Sequence, residues 1–253
     1  MPLPAETVCP FASKCPTINE SNRDSRGVLA CSSALFDGIS RDDCFQIASR
    51  ARSRIFARDE HMFMQGQPAD TVMLIQSGVV KLTQLSPSGN EVILWVRGER
   101  EPLEIEAENP SGCSVHSYSA RAVVPTSVLV WERSSFWAIL EQHPRIGGNI
   151  TQLLANRLEE LQDRFREVAT EPVAKRFALE LLRLMKQIGK CHGAGTEVPL
   201  SREEMAQLIG TSVFTISRMI SKWVDVGLVL ARREAVVICN PTRLQSEAEF
   251  ECV

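Results

Sequence analysis

The sequence predicts an α+β protein in three successive parts: an N-terminal antiparallel β-roll, one long helix, and a C-terminal winged helix-turn-helix. Three observations carry that prediction. Between Arg54 and Arg133, short β-rich runs are separated by turn residues at about ten-residue intervals, as in an antiparallel sandwich or barrel. From Pro144 to about Ala169, apolar residues recur at three- and four-residue spacing over some 26 residues. Ser201 to Leu228, SREEMAQLIGTSVFTISRMISKWVDVGL, reads as two short helices joined by a tight turn. The expected organisation is an arm over 1–32, a sensory roll over 33–143, a dimerisation helix over 144–171 and a winged helix-turn-helix over 172–253.

Composition narrows the class. At 253 residues, 44% hydrophobic and 23% charged, the chain is long enough for two domains with their own cores. No apolar run approaches the roughly 20 residues that span a bilayer. The start, MPLPAETVCPFASKCP, has neither the basic nor the apolar part of a secretory signal. A cytoplasmic location with no membrane partner is therefore expected. Eight cysteines in that compartment argue against a disulfide framework, and the absence of any CxxC spacing argues against a structural zinc site. No Ser-His-acid set, phosphate loop or HExxH motif points to an enzyme. The net charge of −3 is unevenly spread: residues 172–253 carry 11 Lys and Arg against 9 Asp and Glu, while residues 1–171 carry 17 against 22. The more basic part is the one that holds the helix-turn-helix, as contact with phosphate would require.

Taken in order, residues 1–30 are rich in Pro, Ser, Asn and charge, and TINESNRDSRG has no apolar periodicity. They predict an extended arm pinned by Phe11. Leu35, Phe36, Ile39, Phe45, Ile47 and Ala48 suggest short helices. HMFMQGQPAD is a strand running into a Gly-Gln-Pro turn, and TVMLIQSG is the next strand. VVKLTQL and EVILWV form a hairpin across Ser86-Pro-Ser-Gly89. GEREPLEIEAENPSGCSVHS is a polar excursion, after which SYSARAVV and SVLVWER close the sheet. SSFWAILEQHP is a short helix. Pro144 suits the first turn of the long helix. Its stripe of Ile150, Leu154, Leu158, Leu161, Phe165 and Val168 approximates a heptad seam flanked by charge, and predicts a parallel homodimer interface. Glu171-Pro172 breaks the helix at the hinge. VAKRFALELLRLMKQIG is an amphipathic helix ending at Gly189, and KCHGAGTEVPL is a loop or small hairpin.

Ser201-x-x-Glu204 is a capping box that starts the first helix of the motif. Met205, Leu208 and Ile209 form its apolar face, Ala206 permits a close crossing, and Gly210 can end it in a positive-φ conformation. Thr211 and Ser212 can cap the second helix, in which Val213, Ile216, Ile220 and Val224 are the expected buried face. The rest of that helix offers hydroxyls, one Arg and one Lys, with no acid before Asp225. A helix entering a DNA major groove needs donors and few carboxylates. The candidate contacts to double-stranded DNA are Ser212, Val213, Phe214, Thr215, Ser217, Arg218 and Lys222. After Gly227, LVLARREAVVIC is a β-hairpin wing whose Arg232 and Arg233 can meet phosphates. The tail TRLQSEAEFECV is expected to be loosely held.

This order of parts, from about Leu35 to Leu244, resembles the CRP/FNR family of bacterial transcription regulators. The resemblance rests on FMQGQPADTVMLIQSGVVKLTQLSPSGNEVILWV in the roll and GTSVFTISRMISKWVDVGLV in the DNA-reading part. It implies a cupin-like double-stranded β-helix that senses a signal, a homodimer on a pseudo-palindromic site, and RNA polymerase as a partner. In one branch of the family the recognition helix carries Glu-x-x-Ser-Arg. Ser217 and Arg218 match its last two positions, and Phe214 replaces the Glu. Arg218 can pair with guanine O6 and N7, whereas Phe214 can only pack on a thymine methyl.

The resemblance leaves the signal open. Cyclic-nucleotide members carry Gly-Glu and Arg-Ser pairs, which by length fall on Pro102-Leu103 and His116-Ser117 here, so a cyclic phosphate would lack its arginine. Iron–sulfur members use arm cysteines and one distal cysteine. Cys9 and Cys15 resemble part of that group, Glu6 and Val130 stand at the other positions, and Cys31, Cys44 or Cys113 would have to substitute. Haem is the third option, with Cys113, His116 or His61 as axial ligands. Thiol oxidation in the arm is the fourth. An alternative output is a module that binds an effector and then a protein partner instead of DNA.

Overall fold

A computed structural model describes residues 22–103, 115–193 and 195–250. A helical cap opens it: α1 (Asn22–Cys31), a 3-10 turn (Ala34–Phe36) and α2 (Arg41–Ser49). The roll follows with β1 (Arg52–Phe56), β2 (His61–Phe63), β3 (Thr71–Ser77), β4 (Val80–Leu85), β5 (Glu91–Arg97), β6 (Pro102–Leu103), β7 (Ser119–Ala122) and β8 (Thr126–Glu132). Then come α3 (Arg133–Gln142), α4 (Pro144–Thr170) and α5 (Val173–Ile188). The hairpin β9 (Lys190–His192) and β10 (Gly195–Val198) precedes α6 (Arg202–Ile209) and α7 (Val213–Asp225). The wing is β11 (Val229–Ala231) and β12 (Val236–Ile238), and α8 (Pro241–Phe250) ends the described chain.

The roll is two four-stranded antiparallel sheets, ordered β1-β8-β3-β6 and β2-β7-β4-β5. Phe56, Phe63, Met73, Ile75, Leu82, Leu103, Tyr118 and Val128 are among the buried residues that form its interior. β3 and β8 are apolar on both faces for a reason. Met73, Ile75 and Val128 pack inward, while Val72, Leu74, Leu129 and Trp131 pack outward against the cap, α3 and the start of α4. Strands covered on both sides read as continuous apolar runs. Trp131 Nε1 donates to Ile47 O at 2.9 Å, fastening α2 to the sheet.

Two segments are more ordered than expected. Asn22–Cys31, assigned to the arm, is helical, and the tail from Pro241 is α8 with Leu244 fully buried. Among the described side chains, α1 packs the consecutive Leu29, Ala30 and Cys31 against the core and α8 buries Leu244, which sets no helical period. Phe11 lies outside the described residues.

In the long helix, Pro144 occupies the first turn as expected. Its apolar stripe divides. Ile150 is buried with Ile146 in the chain's own core, whereas Leu158, Leu161, Phe165 and Val168 are exposed. Ile150 is therefore not available to a partner helix.

In α7 the buried residues are Ile216, Met219, Ile220 and Trp223. Val213 and Val224, expected to be buried, are exposed at the two ends. At 100° per residue the buried face is turned by about 50° from the one anticipated. Trp223 explains the rotation: its ring stacks on Phe177 of α5 at 5.0 Å and 15°.

Candidate DNA-reading surface, its links to the roll, and the sensory residues

Local chemistry builds the helix-turn-helix. Ser201 accepts from Glu204 N–H while the Glu204 carboxylate accepts from Ser201 N–H, so the capping box is complete. Gly210 ends α6 at φ 69°, where a side chain would be strained. Arg176 on α5 donates to the Ile209 carbonyl at 2.9 Å and satisfies another group at that helix end. Ser212 then caps α7 by accepting from Thr215 N–H, and their hydroxyls lie 2.9 Å apart. These two hydroxyls are committed to starting the helix.

What α7 presents outward is narrower than the sequence suggested. Phe214, Arg218 and Lys222 follow one another at four-residue spacing and lie on one face. All three are exposed, Phe214 by 89%. Ser217 and Thr215 are half-buried beside them, and Val213 is exposed at the helix start. Arg218 and Lys222 form no ion pair among the described residues. At the wing, Arg232 and Arg233 are exposed; Arg232 pairs with Glu197 of β10 at 3.1 Å.

Sequence reasoning missed how this domain is tied to the roll. Lys81 of β4 and Glu204 of α6 form an ion pair at 2.7 Å with both side chains almost fully buried. Burial opposes ionisation of Glu204, but hydrogen bonds from Lys81 and from the Ser201 N–H hold it below the usual carboxylate range. Val79, Ile93, Val96 and Val123 of the roll share one apolar core with Phe177, Leu181, Met205 and Ile216. At the wing tip Glu234 reaches Arg58 of the roll at 2.9 Å.

A second set of charges runs from the roll through α4 to α5. Arg97 pairs with Glu160 at 3.1 Å, Glu160 with Arg164 at 3.4 Å, and Arg164 with Glu180 at 2.6 Å. Arg183 joins Glu180 and Glu167. Beside them Glu101 accepts from Gln187 Nε2 at 2.9 Å. Burial pushes its carboxyl up, against the pull of Arg97. Glu160–Arg164 and Glu180–Arg183 have helical i,i+4 and i,i+3 spacing, but no local pattern announces the pairs that link different elements, such as Arg97–Glu160 and Arg164–Glu180.

The sensory candidates fall out as follows. Cys9, Cys15 and Cys113 lie outside the described residues. Cys31 is half-buried at the end of α1 next to Cys44. Burial and the neighbouring Cys31 push the Cys44 thiol up to about 12. Among the described residues no three His, Cys, Asp or Glu side chains come together. His116 is buried and stacked on Phe63, with ring centroids 3.9 Å apart and 12° between planes, so it packs in the roll. His61 is exposed on β2. Pro102 and Leu103 are buried in β6.

A roll fastened to a winged helix-turn-helix with a free basic reading face defines a DNA-binding regulator with a sensory domain. Comparison with known proteins agrees. Residues 53–143 match the cyclic nucleotide-binding domain model, and residues 175–247 match the Crp-like helix-turn-helix domain model. The CRP-like cAMP-activated global transcriptional regulator of Mycobacterium tuberculosis is 24% identical over 217 residues, covering 85% of this chain and 96% of that protein. The cyclic AMP receptor protein of Thermus thermophilus is 29% identical over 197 residues, covering 78% and 88%. The structure of FixK2 from Bradyrhizobium japonicum, 22% identical, superposes with a TM-score of 0.66 over 78% of this chain and 96% of that one, and shows the same fold. The chain belongs to the CRP/FNR family of transcription regulators. No described helix is long and apolar enough to cross a membrane.

Proposed function

We propose that the protein binds a pseudo-palindromic DNA site as a homodimer. In this reading α7 enters the major groove, the wing meets phosphate, and the roll responds to a redox, gas or small-molecule signal other than a cyclic nucleotide. The observation that carries it is the outward face of α7: exposed Phe214, Arg218 and Lys222 follow one another along it, and none of the three is used by the fold. An unpaired arginine on a helix that presents its first turns outward is the arrangement that donates to guanine O6 and N7. Lys222 and Arg233 serve as phosphate contacts. Dimerisation is supported by the exposed part of the α4 stripe, and RNA polymerase is the partner that family membership suggests.

The reading of the signal rests on the roll. Where cyclic-nucleotide members carry Arg-Ser, this chain has a buried His116 stacked on Phe63 and an exposed Ser117. A cyclic phosphate would find no guanidinium there.

Selection from random-sequence DNA, followed by gel shifts at several salt concentrations, tests the DNA assignment. An inverted repeat should emerge. Arg218→Ala should lower its affinity by ~10- to 100-fold and relax preference at one guanine of each half-site. Lys222→Ala should weaken all sequences alike and reduce the salt slope by about one. No enriched site, together with an Arg218→Ala protein indistinguishable from the parent, would sink the assignment.

A further inference from the structure

The helical cap beside the start of α4 holds two facing cysteines. α1 and α2 approach so closely that a Cβ added at Gly27 would lie 2.4 Å from the ring of Phe45. Cys31 is one turn after Gly27 and shares its face of α1. Its Sγ reaches 4.0 Å from the carbonyl of Arg41, three residues before Cys44 in α2. Cys44 Sγ lies 3.9 Å from the carbonyl of Ile39, and the two thiols are near enough to perturb each other electrostatically. Cys44 is fully buried, whereas Cys31 is half-buried. Cys31 also lines a cavity of about 380 Å³ between the cap and α4, together with Ser32, Ser33, Asn149 and Asn156. A small solute can therefore reach Cys31, while Cys44 is buried on the neighbouring helix.

We propose that Cys31 and Cys44 form a dithiol site that a peroxide-class oxidant converts to a disulfide joining α1 to α2. The Cys31 thiolate attacks a peroxide oxygen and the O–O bond breaks. Cys31 becomes a sulfenic acid, and the departing hydroxide takes up the proton that Cys31 lost, giving water. The Cys44 sulfur then attacks the Cys31 sulfur. The S–S bond forms, the S–O bond breaks, and the hydroxyl leaves as a second water with the Cys44 proton. The two thiols together lose two electrons and the peroxide gains two. Cys31, which lines the cavity, meets the oxidant, and the fully buried Cys44 resolves the sulfenic acid.

The cap is fastened to α4, which gives the bond a route outward. Asn149 donates to the carbonyls of Leu35 at 3.0 Å and Asp37 at 2.9 Å, and Arg145 donates to the carbonyl of Asp37 at 3.1 Å. A covalent link between α1 and α2 shifts the segment that grips the first turns of α4. On the reading that α4 holds the dimer and α7 reads DNA, oxidation changes DNA affinity.

Trypsin cuts after Arg26, Arg41 and Arg50, so Cys31 and Cys44 fall on separate peptides, 27–41 and 42–50. The full-length reduced protein is treated with one equivalent of hydrogen peroxide, alkylated, digested and mapped by mass spectrometry. The expected major product is the linked pair of peptides, two hydrogens lighter than their sum. Dithiothreitol should reverse it. In Cys31→Ser, whose half-exposed site tolerates a hydroxyl, the link should be lost and Cys44 should remain alkylatable after denaturation. Cys31 passing to a sulfinic acid beside an intact Cys44, or either sulfur linked to a different cysteine, would overturn the site. The same samples are titrated with the selected DNA, where oxidation should change affinity by about fivefold or more. A mapped bond with unchanged affinity removes the coupling. Reduced protein that binds no DNA at all removes the regulator reading and leaves the bond standing.

Discussion

At the scale of single residues, base preference in the proposed DNA binding is expected to turn on Phe214. It is the most exposed large apolar residue described, at 89%, on a helix that buries Ile216, Met219, Ile220 and Trp223. Leaving that ring in water is unfavourable by about 25 cal/mol per Å² of apolar surface, so its position makes sense when DNA covers it. A phenyl ring can pack on a thymine C5-methyl but cannot accept from the cytosine amino group, whereas a glutamate does the reverse. Phe214→Glu is therefore expected to move the preference at one base pair of each half-site from thymine to cytosine. Because the residue touches so little of the protein, thermal stability should change by no more than about 0.5 kcal/mol. Repeating the random-sequence selection with the variant checks this; an unchanged consensus would show that Phe214 does not meet a base. Ser212 belongs to the same helix but has another task. Ser212→Ala removes the cap seen at Thr215 N–H and should lower stability by about 1 kcal/mol in chemical denaturation.

At the scale of elements, α4 is the informative case. Twenty-seven residues at 1.5 Å each make a rod of about 40 Å, and its two halves do different work. The first half spends Ile146 and Ile150 on the chain's own core; the second leaves Leu158, Leu161, Phe165 and Val168 exposed. Four large apolar residues at three- and four-residue spacing on an exposed helix face match a two-stranded seam. Leu161→Asp should place like charges opposite each other in that seam and yield a monomer by sedimentation, with the core at Ile150 untouched. A dimer that survives Leu161→Asp would remove this seam. Periodicity made the stripe legible, but could not show where own-core packing ends and exposure begins, because both faces use the same residue types. The helix ends of the helix-turn-helix were legible, since the capping box, Gly210 and the Ser212 cap are local signals, whereas the buried face of α7 was not, because Trp223 turns it toward Phe177. α1 and α8 were not: the inward residues described are consecutive in α1, Leu29 to Cys31, and come down to Leu244 in α8, so neither sets a period.

At the scale of the whole molecule, the fold is held between its sensory and DNA-reading parts by a charge pair the sequence could not reveal. Lys81 and Glu204 are 123 residues apart, and neither is unusual in its own segment. Two ions this deeply buried are stable only while each has the other, so removing one is costlier than exposing a surface pair. Lys81→Met keeps the length and apolar stem of the side chain but strands the carboxylate. It should lower unfolding free energy at neutral pH by about 3–5 kcal/mol. The pH dependence identifies the pair. Glu204 ionises more readily in the folded protein than its ordinary value of 4.5 would have it. Its contribution is thus fully present above about pH 4.5 and is lost as pH falls through the lower folded value, because the unfolded chain binds the proton first. Below pH 4.5 the parent should lose stability more steeply than Lys81→Met, in which the lysine no longer depresses that value, and the two curves should converge toward acid. Glu101, whose carboxyl burial pushes the other way, contributes the opposite slope in both proteins and cancels in the difference. Parallel curves across the acid range would mean that Lys81 does not hold Glu204 in solution. The roll and the DNA-reading domain would then be joined by their shared apolar core and by the remaining polar links, Arg58–Glu234 and Glu101–Gln187.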